Sequence, residues 1–85
     1  MSNVRIMMDV ISLKIKAVAV NIRKQRETKN YTQEYLAAKL KISQNAYSKI
    51  ELGYTKITLE RLFQIAEVLE TDMMGLVNTE KTEAA

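Results

Sequence analysis

The chain has 85 residues, a formal net charge of +3, and neither cysteine nor histidine. That length suits one domain burying roughly 60% of its unfolded surface without disulfides or metal, and the missing residue types exclude disulfides, thiolate metal sites, cysteine nucleophiles and histidine-based catalysis together. An enzyme would have to work with carboxylates, lysines or hydroxyls alone, so no catalytic residue, metal ligand or cofactor is expected, nor is a second, ligand-sensing domain.

The total charge hides an asymmetry. Residues 1–56 carry eleven Lys or Arg against four Asp or Glu, and residues 57–85 carry two against six, which gives +7 and −4. A basic half with an acidic half behind it orients a protein on a polyanion. No apolar run approaches the roughly 20 residues of a membrane span. Asp9, Lys14 and Lys16 interrupt the N-terminal stretch before it could serve as a signal-peptide core, and the expected location is the cytoplasm.

Residues 1–11, MSNVRIMMDVI, admit more than one reading. As a helix continuous with residues 12 onward, Val4, Met8, Ile11, Ile15, Val18 and Ile22 recur at spacings of four and three, the pattern of a coiled-coil seam. A second seam of Ile6, Val10, Leu13, Ala17 and Val20 lies nearly opposite. As a strand, Ile11, Leu13 and Ile15 alternate with Ser12, Lys14 and Lys16; disordered overhang is the third reading. Ser12 is placed as an N-cap, so helix 1 is set at about 12–28, ending before Asn30, and the preceding apolar residues are taken as a self-association surface. The expected organisation is an N-terminal extension over 1–11 that could dimerise, a folded domain over 12–77 and a flexible tail over 78–85.

Thr32 then caps a second helix with an apolar face of Leu36, Ala37 and Leu40, and Ser43 caps a third beginning at Gln44, with Lys41 and Ile42 alone between them. Each cap is bracketed by a hydrophobic staple, Tyr31 with Leu36 and Ile42 with Tyr47. Gly53 stops the third helix. At about 100° per residue from Gln44, the polar Asn45, Ser48 and Lys49 fall at about 100°, 40° and 140°, while Ala46, Tyr47 and Ile50 fall at about 200°, 300° and 240°. One side of this helix therefore packs. The other carries two amides, a hydroxyl and an amine, groups that read base edges in a major groove. After the loop Tyr54-Thr55-Lys56, Thr58 caps a fourth helix with its own staple of Ile57 and Leu62 and a core stripe of Leu59, Leu62, Ala66 and Leu69, widened by Phe63 and Ile65. Asp72 caps a short fifth helix, Met73 to Val77, weakened by Gly75, and the remaining NTEKTEAA is polar. These elements make an all-α, compact five-helix bundle.

The pair of short helices across a tight turn looks like a helix-turn-helix, and it resembles the Cro/repressor-type (XRE) helix-turn-helix family. The resemblance spans about Val18 to Val77 and rests on Ile22-Arg23 and Arg26, TQEYLA, SQNAYSKIE, Gly53 and ITLERLFQIAEVLE. Ala37 matches the small residue where the two motif helices cross. Lys41 departs, because relatives often place Gly in that turn, where positive φ costs a residue with a Cβ about 1 kcal/mol. Leu52 departs too, standing where relatives often have a polar phosphate contact.

The resemblance implies the phage-repressor type of DNA-binding domain and gives roles to positions. Gln44, Asn45, Ser48 and Lys49 would read bases; Thr32, Gln33 and Ser43 on one side of the groove and Tyr54, Thr55 and Lys56 on the other would hold phosphates, with Gln33 also bracing Gln44. Arg26 and Glu51 would form a structural ion pair, and both face the bundle, where an unpaired charge is costly. The implied function is sequence-specific binding of double-stranded DNA as a transcriptional regulator, a repressor acting as a homodimer on a two-fold operator. The alternative is an antitoxin that binds a toxin partner and autoregulates its operon. Two surfaces could dimerise, the Val4–Leu13 extension or the end formed by Met73, Met74, Leu76 and Val77.

Overall fold

Neither Pro nor Gly occurs before residue 53, so nothing breaks a helix over the first 28 residues. In the computed structural model, which describes residues 2–79, that stretch is one helix, α1 (Ser2–Thr28). Of the readings open for residues 1–11, helix is the one realised over the described part. Ser12 consequently does not cap, and the expected start at residue 12 is corrected: Ser12 lies mid-helix and exposed. Its neighbours are all helix-compatible, and a helix already propagating needs no new nucleus there. Residues 80–85 of the expected tail lie outside the described residues.

Four further helices follow: α2 (Gln33–Leu40), α3 (Gln44–Glu51), α4 (Leu59–Leu69) and α5 (Met73–Val77). Each opens on a capping side chain. Thr32, Ser43, Thr58 and Asp72 accept a hydrogen bond from the amide three residues on, at Tyr35, Ala46, Arg61 and Gly75 respectively, which satisfies one of the amides a helix start leaves orphaned.

The helix ends are equally uniform. At Asn30, Lys41, Gly53 and Glu70 the backbone turns left-handed, with φ of 62°, 60°, 77° and 56°. The next amide then reaches back across the last turn: Tyr31 to the Arg26 carbonyl, Ile42 to Ala37, Tyr54 to Lys49 and Thr71 to Ala66, all at 3.0–3.1 Å. This is the Schellman closure. In three connections the left-handed residue, one spacer and the next cap follow directly, as Asn30-Tyr31-Thr32, Lys41-Ile42-Ser43 and Glu70-Thr71-Asp72. One joint is thus used three times.

The core forms where the five helices meet. Ile22, Leu36, Tyr47, Ile65, Leu69 and Leu76 are fully buried, and the staple residues Tyr31, Ile42 and Ile57 lie half-buried against them. Ala37 is also buried, which suits the close crossing of α2 and α3. Phe63 and Leu59, expected in the α4 core stripe, point outward instead and are 52% and 66% exposed; the buried arc of α4 is Ile65, Ala66 and Leu69. Asn21 fastens the short α5 to α1 by donating its side-chain amide to the carbonyls of Leu76 and Asn78, at 2.9 and 3.0 Å.

Lys41 occupies a conformation that costs a residue with a Cβ about 1–2 kcal/mol, while glycine adopts it freely but loses more entropy on folding. Lys41→Gly should therefore stabilise the chain by about 0.5–1 kcal/mol. Gly53→Ala should destabilise it, because a Cβ there adopts positive φ and also lies 3.3 Å from Lys16 Cγ. Urea denaturation of the two variants beside the parent checks both signs.

Candidate nucleic-acid interface

The outward face of α3 is set by what its inward face must bury. Tyr47, Ile50 and Glu51 are its buried residues. Counted from Gln44, they fall at about 300°, 240° and 340°. The inclusion of Glu51 rotates the packed arc away from Ala46, which is exposed, and towards Ser48, which is half-buried. Ala46, expected on the packed side, does not pack. The free face of α3 is Gln44, Asn45, Ala46 and Lys49, with Ser48 at its rim.

Beside that face lies an open concavity of about 510 Å³, lined among others by Ser43, Asn45, Lys49, Thr55, Lys56 and Arg61. Its lining includes three cations and no carboxylate. Thr32 and Ser43 are exposed at the starts of α2 and α3, and Tyr54, Thr55 and Lys56 are exposed on the loop after α3. The capping oxygens of Thr32 and Ser43 already accept from amides, which leaves each hydroxyl proton free to donate outward. Two cations of this region are not singled out by the sequence. Arg61, held by the Leu40 carbonyl at 3.3 Å and Gln64 Oε1 at 3.0 Å, lines the concavity. Lys16, whose stem crosses Gly53, lines a second groove shared with Tyr54, Thr55 and Lys56. The available signal for Arg61 is its position in the first turn of a capped helix; Lys16 lies beside the stretch that the sequence leaves open between helix and strand.

Arg26 and Glu51 meet. Arg26 donates Nε to Glu51 Oε2 at 2.6 Å and Nη2 to Oε1 at 3.1 Å, a two-pronged contact with side chains 12% and 2% exposed. Tyr47 adds its hydroxyl to Oε2 at 2.5 Å and Gln33 its Nε2 to Oε1 at 3.1 Å. Arg26 Nη1 also donates to the Tyr31 carbonyl at 2.9 Å. Gln33 is thus directed at Glu51 rather than at Gln44, its expected partner, because a buried carboxylate is the stronger acceptor. Burial by itself pushes the Glu51 carboxyl up, but the hydrogen bonds from Arg26, Tyr47 and Gln33 outweigh it and hold the group below its ordinary value. Burial, then the bond to Glu51, pushes the Tyr47 phenol far up. The hydrogen bond to Glu51 raises Arg26. Among the described residues no buried side-chain nitrogen or oxygen lacks a partner.

The Helix-turn-helix family model matches residues 22–76. Two crystal structures of the clp gene regulator ClgR from Corynebacterium glutamicum share the fold, each with a TM-score of 0.76. One is 22% identical, with 84% of this chain and 77% of that chain covered; the other is 21% identical, with 85% and 94% covered. No curated protein matches the chain. Among the described residues, no helix is long and apolar enough to cross a membrane.

Removing one partner of a buried pair strands the other. Arg26→Ala should destabilise the fold by about 3–5 kcal/mol, whereas an apolar replacement of both Arg26 and Glu51 should cost far less. The pH dependence has a definite sign. Because the folded-state pKa of Glu51 is depressed, its contribution is complete above the ordinary carboxyl pKa of about 4.3 and is lost as pH falls through the lower folded value. Urea melts between neutral pH and about pH 3 should show this loss in the parent, and a shallower one in Glu51→Gln.

Proposed function

The chain belongs to the XRE-type helix-turn-helix family, and from that premise we propose that it is a sequence-specific double-stranded DNA-binding protein that acts as a transcriptional repressor, binding as a dimer to a two-fold operator. The observation that carries this reading is the exposed amide-and-amine face of α3 beside a concavity lined by Lys49, Lys56 and Arg61 and by no carboxylate. ClgR, whose fold the chain shares, is a clp gene regulator, which supports a role in gene regulation here.

In this reading α3 enters the major groove. Gln44 and Asn45 can pair two-pronged with adenine, Lys49 can donate to guanine, and Ser48 serves at the rim. The residues nearest the start of the helix lie closest to the bases. Thr32 and Ser43 with the neighbouring free amides hold one strand's phosphates, since a helix start attracts anions. Tyr54, Thr55 and Lys56 hold the other. Gln33 braces from behind through Glu51. One such helix spans only a few base pairs, so discrimination against a genome of competing sites calls for two half-sites about 34 Å apart and a two-fold dimer to read them.

Base contacts and phosphate contacts should respond differently to mutation. Gln44→Ala should weaken binding by about 1–3 kcal/mol and relax preference at one or two base pairs. Lys56→Ala should weaken binding on every sequence and lower the slope of log affinity against log salt by about one unit. Fluorescence anisotropy titrations with matched and altered duplexes over a salt series measure both. Uniform weakening from Gln44→Ala would assign that side chain to the backbone, and an unchanged slope in Lys56→Ala would remove Lys56 from the contacts.

A further inference from the structure

Two grooves meet at the loop after α3. The concavity beside α3 and the groove beside α1 share Thr55, Lys56 and Ile57 in their linings, so the loop separates one from the other. The groove on the α1 side holds about 370 Å³. Val18, Ile57 and Leu62 line it half-buried, while Ser12, Lys16, Tyr54, Thr55 and Lys56 line it exposed. Those five offer three hydroxyls and two amines. Like the first concavity, this groove is lined by no carboxylate, and its apolar backing focuses the field of the cations in front of it.

Lys16 is built into this groove. Its Cα and Cγ lie 3.7 and 3.3 Å from where a Cβ on Gly53 would stand, so the lysine stem rests on the glycine at the end of α3. Gly53 thereby admits α1 close to the loop as well as supplying a positive φ. Among the described residues, the ion pairs draw their cations from Arg26 and Lys29. The Lys16 amine is not engaged in holding the fold, and the residue is exposed. Both Lys16 and Ser12, one turn before it, precede the residues 22–76 that the family model matches. Whatever they bind is therefore an addition made by the long α1.

We propose that Lys16, with the Ser12 hydroxyl beside it, holds a DNA phosphate beyond those bound by Tyr54, Thr55 and Lys56, so that a duplex strand crosses the loop from one groove into the other. The inference rests on the DNA-binding reading of α3 and deepens it. The residues nearest the start of α3 lie closest to the bases, and Lys16 sits at the opposite end, against Gly53. The phosphate it meets therefore flanks the base pairs that α3 reads. Such a contact adds affinity and fixes register without adding base preference. Asp9 limits the strip. It stands on the same flank of α1, about 20° from Lys16 and about 10 Å further along the helix, where its carboxylate turns a polyanion away. The contact made by α1 stops at a single phosphate.

Fluorescence anisotropy of the full chain over a salt series tests the proposal, using the duplex best retained from a random pool and the same duplex shortened from its ends one base pair at a time. Lys16→Met keeps the stem over Gly53 and removes the charge. It should lower the slope of log affinity against log salt by about one unit for each half-site occupied, with base preference and the urea midpoint unchanged. Lys16→Arg should keep the parent's slope. So should Lys14→Met, which removes an exposed lysine about 160° round the helix from Lys16. On the shortened duplexes the difference between the parent and Lys16→Met should vanish in one step, at the length where the flanking phosphate is lost. An equal slope in the parent and Lys16→Met, an equal fall in Lys14→Met, or a difference that persists on the shortest duplex bound would overturn the contact and leave the DNA reading standing. A parent that binds no duplex would contradict the DNA reading itself, and the Lys16 contact with it.

Discussion

The buried carboxylate of Glu51 is the constraint on which the geometry of the domain depends. A charge whose side chain is only 2% exposed survives only if its oxygens are matched, and its partners come from three helices: Arg26 on α1, Gln33 on α2 and Tyr47 on α3 itself. Arg26 also grips the Tyr31 carbonyl in the α1–α2 joint. The network thus fixes the rotation of α3 about its own axis, and with it which side chains face out. Had Glu51 been exposed, Ala46 could pack and Lys49 would swing towards the core. Such a network is weak evidence for high stability, since apolar packing could replace it. Its consequence here is orientation.

A second constraint acts along the backbone. The left-handed residue, spacer and cap that join α1 to α2 and α2 to α3 close one helix and open the next within three residues, and both openings, at Thr32 and Ser43, are exposed. Their caps do two things. The oxygens of Thr32 and Ser43 satisfy amides, and each hydroxyl proton with the remaining helix-start amides can meet an anion outside. In the proposed DNA-binding reading, stability and phosphate recognition fall to the same short segments, so a cap mutation would register in both.

The helix starts are legible in the sequence because each of the last four is marked by a side chain that does the capping, Thr32, Ser43, Thr58 and Asp72. The helix ends are less so. Gly53 and, more weakly, Asn30 announce a left-handed residue; Lys41 and Glu70 adopt the same φ through the demands of the joint, which local propensity does not record. Lys41 stands out only against the resemblance to XRE relatives. The outward-facing positions of α3 can be read from angles alone, but the edge of its buried arc cannot. Burial of Glu51 moves that edge by one residue, releasing Ala46 and half-covering Ser48. The resemblance makes Gln33 a brace for Gln44, and nothing in its spacing tells that a buried carboxylate competes for its amide. The first half of α1 is ambiguous in sequence because its apolar residues satisfy helix and strand periods alike over so short a window, and the absence of Gly and Pro decides for helix.

Selection of bound duplexes from a random DNA pool, at one stated salt concentration because affinity falls steeply with salt, tests the central claim most directly. The expected product is a two-fold sequence with half-sites about 10 base pairs apart, whose inner positions shift when the pool is reselected with Gln44→Ala. A pool that retains no common sequence after repeated rounds, while the protein remains folded and binds every duplex alike, would contradict sequence-specific reading by α3.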